Sequence, residues 1–290
     1  MISEVGHVSI RVRDLDAAEE VATNVMGLTV TDRSPDEVWL SPGSPHHNLH
    51  YVRSEVDMVN HVGLVAPDAE SVSDIQARVS ELGWEIERDA PDGPGVRDGF
   101  LFVGPEGARF EIYSDMSSVE VDHKPHSGVR PLRFGHVNFA PHDAVAMRQM
   151  FIELFDFRVS DYAGEGAFLR CNVDHHGVGV FPGSGLLHHY AWEVSSLIEL
   201  GALADLIDQR GQSVLWGPAR HGIGRNIATY FQDPSGVVVE YYTEMERIYD
   251  DEHHKPKHWE LEGHKWFSLW GPQLPDGFVE LGIPFSGRGT

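Results

Sequence analysis

Apolar and polar positions along this chain follow two periods, and the whole pattern is written twice. Gly6 to Val12 alternates with period two, the mark of a half-buried strand. Leu15 to Met26 then reads as a helix, with Asp14 placed to cap its start and Gly27 to end it. Short strands are predicted around Val38 to Leu40 and Asn48 to Val52. A second unit opens with a strand over Met58 to Val65 and a helix over Ser71 to Leu82, whose Ile75, Val79 and Leu82 share one face. Its remaining strands fall at Trp84 to Glu87, Gly99 to Val103 and Arg109 to Tyr113.

The second writing begins where Gly6-His7-Val8-Ser9-Ile10 returns as Gly135-His136-Val137-Asn138-Phe139. The interval from His7 to His136 is 129 residues, and so is that from Glu111 to Glu240. Two homologous domains are the economical explanation. Helices are expected over Asp143 to Phe155 and Leu197 to Arg210, the latter with Ser196 and Glu199 at capping-box spacing. Asp233-Pro234-Ser235-Gly236 is a turn signal, so the β-rich runs around it read as a hairpin. The fold class is α+β, with domains at 1–116 and 131–245, a linker at 117–130 without periodicity, and a tail at 246–290 that has no counterpart in the first copy. That tail is expected to lie over the second domain.

Composition narrows the chemistry. A formal charge of −23 opposes nucleic acid and anionic membrane as partners, both of which need Lys and Arg neutralisation. No run of eighteen apolar residues occurs, and Met1-Ile2-Ser3-Glu4 lacks the features of a signal peptide, so a cytoplasmic location is expected. With Cys171 as the lone cysteine, any metal must be held by carboxylates and some of the 18 histidines. Cys171 itself, in a predicted strand, reads as a small inert residue.

Strand parity selects among those histidines. In Leu187 to Val194, His188 shares a face with Tyr190, Trp192 and Val194, whereas His189 points with Ala191 and Glu193 toward the polar side. His136 likewise points with Asn138, away from Val137 and Phe139. Glu240 stands in the apolar run Val237 to Tyr242, where burial of a carboxylate costs several kcal/mol unless something positive satisfies it. One histidine from each unit plus Glu240 makes a two-histidine, one-carboxylate set, suited to Fe(II) with open positions. Taken singly, a histidine on a strand is more often a hydrogen-bonded structural residue than a ligand.

The sequence resembles the type I extradiol ring-cleaving dioxygenases of the vicinal oxygen chelate superfamily, nearest the catechol and homoprotocatechuate 2,3-dioxygenase branch. The resemblance rests on Gly217-Pro218, Arg220-His221-Gly222, Tyr230, Asp233-Pro234 with Gly236, and Glu240, on Leu187-His188-His189, and on the tail motif His254-Lys255-Pro256-Lys257-His258-Trp259. It implies two tandem vicinal-oxygen-chelate domains, each of two βαβββ units in a curved, partly open barrel, with the N-terminal one non-catalytic. It implies His136, His189 and Glu240 as ligands of Fe(II), or Mn(II) in some members. His176 is implied as the acid–base residue near bound O2, with His221 and Tyr230 hydrogen-bonding the substrate or oxygen, and Asn138 lining the same pocket. The implied partners are a catecholic substrate, O2 and further copies of the chain in a homo-oligomer. A glyoxalase-type metal lyase or isomerase, or a metal-free binding or resistance protein, are the alternatives on the same fold.

In the first copy His7, His61 and Glu111 mirror the triad and His47 mirrors His176, but no His or Tyr occurs from Val62 to Phe110 to match His221 and Tyr230. His46 and His50 are expected to be surface or strand residues, and His253, His254 and His264 to belong to a solvated tail. Trp216, Phe181 and the tail aromatics are expected to give the pocket an apolar wall.

Overall fold

A computed structural model describes residues 1–120 and 127–285 of the chain. Residues 121–126 of the expected linker lie outside the described residues. The first repeat runs β1 (Glu4–Val12), α1 (Leu15–Asn24), β2 (Thr29–Arg33), β3 (Glu37–Ser41), β4 (Leu49–Arg53), β5 (Met58–Val65), α2 (Ala69–Glu81), β6 (Glu85–Arg88), β7 (Val96–Val103) and β8 (Arg109–Met116). The second runs β9 (Arg133–Ala140), α3 (Ala144–Phe155), β10 (Arg158–Ala163), β11 (Gly166–Arg170), β12 (Val178–Val180), β13 (Leu186–Glu193), α4 (Leu197–Gln209), β14 (Trp216–Arg220), β15 (Ile227–Gln232) and β16 (Val238–Thr243). The tail contributes β17 (Lys257–Trp259) and β18 (Ile283–Pro284).

Each repeat is two βαβββ units, as expected. In every unit the first strand pairs in parallel with the last, β1 with β4, β5 with β8, β9 with β12 and β13 with β16. The two units of a repeat meet through an antiparallel pair, β1 with β5 and β9 with β13. The strand most polar in sequence escaped the pattern reading. Thr29–Arg33 is an edge strand of the first sheet, half-buried at its first three residues and exposed at Asp32 and Arg33, so no apolar alternation marks it.

The helix ends follow their caps. Asp14, Asp68 and Asp143 accept the N–H of Ala17, Ser71 and Ala146. Glu199 returns a carboxylate to the Ser196 N–H at 3.1 Å, completing the capping box. The predicted turn is present, with the Gly236 N–H donating to Asp233 O at 3.0 Å and Gly236 at φ +89°.

The two repeats share one core. Phe102 and Phe110 of the first pack on Phe155, Phe151 and Phe139 of the second, with ring centroids 5.6 to 6.0 Å apart. A polar lock joins them as well. Tyr51 of β4 donates to Asp233 Oδ2 at 2.9 Å, while the Ser235 N–H and hydroxyl donate to Asp233 Oδ1.

Burial raises the Asp233 carboxyl from 3.8 to about 6, and its hydrogen bonds only partly oppose that. A folded pKa above the unfolded value means the folded state holds the proton more tightly. Its contribution is therefore full below about pH 4 and is lost as pH rises through about 6. Denaturant titrations from about pH 4 to 6.5 should show wild type losing roughly 2–3 kcal/mol relative to Asp233→Asn. Parallel pH profiles for the two proteins would contradict this assignment.

Candidate metal centre

Three adjacent central strands of the second repeat, β9, β13 and β16, carry His136, His189 and Glu240 to one point. Ala191 of β13 is register partner to both His136 and Glu240, and its small side chain leaves the two larger ones room to converge. Glu240 Oε2 lies 3.1 Å from His136 Nε2 and 3.1 Å from His189 Nε2, and all three residues are buried. A cation about 2.1 Å from each ligand atom holds neighbouring ligands roughly 3.0 to 3.4 Å apart, so the spacing fits one ion.

The hydrogen-bond network fixes which nitrogen faces that point. His188 Nε2 donates to Phe278 O at 2.8 Å, and burial holds this imidazole neutral by pushing its pKa down to about 3. His188 Nδ1 is thus an acceptor, and it takes the proton of His189 Nδ1 at 2.6 Å. His189 Nε2 is left with a lone pair aimed beside a carboxylate, an arrangement that only a cation or an added proton satisfies. Burial alone would raise Glu240, but the imidazoles of His136 and His189 outweigh it and hold the carboxyl well below the usual range. Burial also lowers His189, partly opposed by Glu240.

Asn226 is a member of the site that the sequence reading missed. It stands just before β15 and its Nδ2 donates to Glu240 Oε1 at 2.9 Å, freeing Oε2 to face the histidines. No spacing or periodicity marks an isolated Asn for that task. Asn226→Ala is expected to weaken metal binding about 10 to 100-fold with the fold intact, as loss of an orienting partner does. Competition titration with a chelating dye measures it, and unchanged affinity would remove Asn226 from the site.

His188 also departs from its expected place. A register shift between Leu187 and His189 opposite Asn138 turns His188 out of the core face and onto the cavity wall. Parity counting assumes an unbroken strand, and the bulge breaks it.

A cavity of about 500 Å³ opens above the triad. His176, His221, Tyr230 and Asn138 line it together with the triad. Its apolar wall comes from Phe168 and Phe181 of the repeat and from Leu261, Trp266, Phe267 and Phe278 of the tail. Trp216, expected in that wall, instead lies behind it, its ring stacked on Tyr230 with centroids 5.2 Å apart. Among the tail histidines, His253 pairs with exposed Asp250 and His254 Nε2 contacts Ser160 O, away from the cavity lining.

Two further proton positions are set by geometry. His221 Nδ1 donates to Phe267 O at 2.7 Å, so its Nε2 accepts the Tyr230 hydroxyl at 2.8 Å. Burial lowers the His221 pKa and raises that of Tyr230 well above 10, which keeps the pair neutral. Tyr230 is also the register partner of Glu240 on β16, so both project to the same face. Behind His176 runs a chain to the tail. Asp161 accepts from the Lys257 N–H and Trp259 Nε1, and its Oδ2 lies 3.5 Å from His175 Nε2. His175 Nδ1 in turn meets His176 Nδ1 at 3.1 Å. With the His175 proton toward Asp161, His176 donates from Nδ1 and keeps Nε2 as a free acceptor. Burial holds His176 well below its ordinary pKa. Cys171 falls just beyond β11, and burial pushes its thiol up to about 12, so it is unreactive.

The fold and this centre define a class, tandem βαβββ proteins with a buried two-histidine, one-carboxylate cluster under a cavity of the second repeat. The chain belongs to the Glyoxalase/Bleomycin resistance protein/Dioxygenase superfamily, whose pattern matches residues 4–112 and again 133–241. Metapyrocatechase of Pseudomonas sp. (strain CF600) is 26% identical over 276 residues, spanning 88% of this chain and 89% of that protein. The Mn(II)-bound glyoxalase from Novosphingobium aromaticivorans matches with TM-score 0.90 at 26% identity, covering 100% of this chain and 98% of that one. Homoprotocatechuate 2,3-dioxygenase from Arthrobacter globiformis shares the fold with TM-score 0.90 at 23% identity, over 99% and 94% of the two chains. No helix among the described residues is long and apolar enough to cross a membrane.

Proposed function

We propose that this protein is a metal-dependent extradiol dioxygenase, opening a catechol-type ring beside its two hydroxyls with incorporation of both atoms of O2. The observation that carries the reading is the triad of His136, His189 and Glu240 at the base of a largely apolar cavity that it shares with the neutral groups His176, His221 and Tyr230. The likeness to metapyrocatechase over most of both chains supports it. In this reading residues 131–245 are the catalytic domain, 1–116 a domain without turnover, and 246–290 the cover over the catalytic cavity.

His136 Nε2, His189 Nε2 and Glu240 Oε2 would hold the ion, Fe(II) in our reading, with Mn(II) accepted by the same donors. An ion held there would supply a Lewis acid able to lower the pKa of the substrate hydroxyls and to support the chemistry of O2. Phe168, Phe181 and the tail aromatics enclose the ring and exclude water. His221 Nε2 receives a substrate hydroxyl proton in place of the Tyr230 proton, and Tyr230 then donates to a substrate or oxygen atom. His176 accepts a proton at Nε2 and returns it later, with Nδ1 anchored through His175 to Asp161. Asn138 Oδ1, buried without a partner, faces the same cavity and accepts from the substrate.

A glyoxalase-type lyase or isomerase is the second reading, favoured by the likeness to the Mn(II)-bound glyoxalase. Anaerobic loading with Fe(II) or Mn(II), followed by O2 uptake and detection of a yellow ring-fission product across a catechol panel, separates the two. The first reading expects one O2 consumed per ring opened. Loaded protein that consumes no O2 with any catechol sinks it.

A further inference from the structure

The first repeat contains a matching cluster of two histidines and one carboxylate, none of which lines the cavity over the second cluster. His7 of β1, His61 of β5 and Glu111 of β8 are each at most 1% exposed. His7 Nε2 lies 2.9 Å from His61 Nε2 and 3.1 Å from Glu111 Oε2, and His61 Nε2 lies 3.6 Å from the same oxygen. A single ion about 2.1 Å from each atom spans such a triangle. Gly63 takes the place of Ala191, as register partner to both His7 and Glu111. A Cβ there would stand 2.1 Å from His7 Cε1, so the first site is drawn still tighter.

The surroundings of the three residues also point to a cation. The Asp92 N–H donates to Glu111 Oε1 at 2.5 Å, the role Asn226 plays for Glu240, and Glu111 Oε2 is buried with no hydrogen-bond donor. His61 Nδ1 lies 3.3 Å from Asn60 Nδ2 and 3.5 Å from Asp92 Oδ2, and His7 Nδ1 faces the Tyr113 hydroxyl at 3.4 Å. Carboxylate or hydroxyl on Nδ1 with Nε2 turned inward is the usual outer support of a metal-bound imidazole. A proton shared between the two Nε2 atoms satisfies one of the three close contacts and leaves Glu111 facing a lone pair. His47 completes the likeness, its ring edge-on to His7 at 4.8 Å as His176 is to His136 at 4.4 Å. His46 and His50, expected to be surface or strand residues, are both buried beside it, His50 on β4.

What differs is access. Asp92 stands at the repeat position of His221 and Leu101 at that of Tyr230. A cavity of about 140 Å³ in this repeat is lined by Gly6, Asn48 and Tyr113 and by none of the three ligands. We propose that the first repeat binds a second divalent transition ion on His7 Nε2, His61 Nε2 and Glu111 Oε2, sealed from substrate, whose role is to stabilise this repeat. Imidazole and carboxylate donors suit Mn(II), Fe(II) or Zn(II).

The test is a count of ions. Full-length protein is stripped with chelator, loaded with Mn(II), freed of unbound ion by gel filtration and assayed by elemental analysis. Wild type is expected to hold two ions per chain, Glu240→Gln one, Glu111→Gln one, and the double variant none. Glu240→Gln should also keep a rise in thermal midpoint on loading, because the first site remains. One ion in wild type and none in Glu240→Gln would overturn the proposal. So would a second ion that persists in Glu111→Gln and His61→Ala. Wild type and Glu240→Gln decide the matter even if the Glu111 variant fails to fold.

Discussion

Glu240→Gln is expected to fold, to bind one metal ion fewer than wild type and to lose ring-opening activity. The amide keeps the shape of the side chain and its contact with Asn226 while removing the buried negative charge that faces His136 and His189. Two neutral imidazoles alone bind a divalent ion far more weakly, by more than the roughly 10 to 100-fold that loss of an outer partner brings. In metal-free protein the Gln variant also gives up the contacts with His136 and His189 that hold the carboxyl well below its usual range, so it should be no more stable than metal-free wild type. Loaded wild type gains about 4 kcal/mol at an ion concentration a thousand times Kd, and the variant loses the share of that gain belonging to this site. Elemental analysis with thermal unfolding checks both, and His189→Ala should reproduce the metal loss. An unchanged metal content in both variants would exclude these residues as ligands.

His176→Ala is expected to separate binding from turnover. It leaves His136, His189 and Glu240 in place, so the ion and a catechol should still bind with affinities close to wild type. Turnover should fall by about 10²–10⁴-fold, the usual contribution of a positioned acid–base group. In barrier terms that is roughly 3–5 kcal/mol. The distinguishing measurement is single-turnover kinetics beside catechol binding under anaerobic conditions. A variant that loses catechol affinity and keeps its kcat would make His176 a binding residue. Because His176 is reached through His175 and Asp161, Asp161→Asn should lower kcat by a smaller factor and leave metal content untouched.

Much of this molecule is readable from its residues in order, and the reason is that its repeat is long and its local signals agree. Asp14 and Ser196 cap the helices they were expected to cap, and Asp143, expected as the first residue of its helix, caps it instead, since a capping side chain bonds within three residues of itself. The turn at Asp233 forms for the same reason. Parity on β9 places His136 and Asn138 together because that strand runs unbroken past both. The polar edge strand β2 is invisible to pattern reading, because an exposed edge buries little on either face.

What the chain order cannot hold is any relation made across strands. Parity failed at His188 because a bulge opposite Asn138 is a property of the β9–β13 pair and not of β13 alone. Asn226 finds Glu240 only once β15 and β16 are paired, and Trp216 is carried behind Tyr230 by the pairing of β14 with β15. Asp233 is a turn former by sequence, yet its buried bond to Tyr51 exists only because the two repeats pack together. The sequence by itself determined the repeat, the elements and the donor types, including the twin triads 129 residues apart at His7 and His136. Tertiary structure alone decided that the second triad opens onto a cavity while the first is closed over by Asp92, since enclosure depends on how the tail and the loop before β7 pack on their sheets.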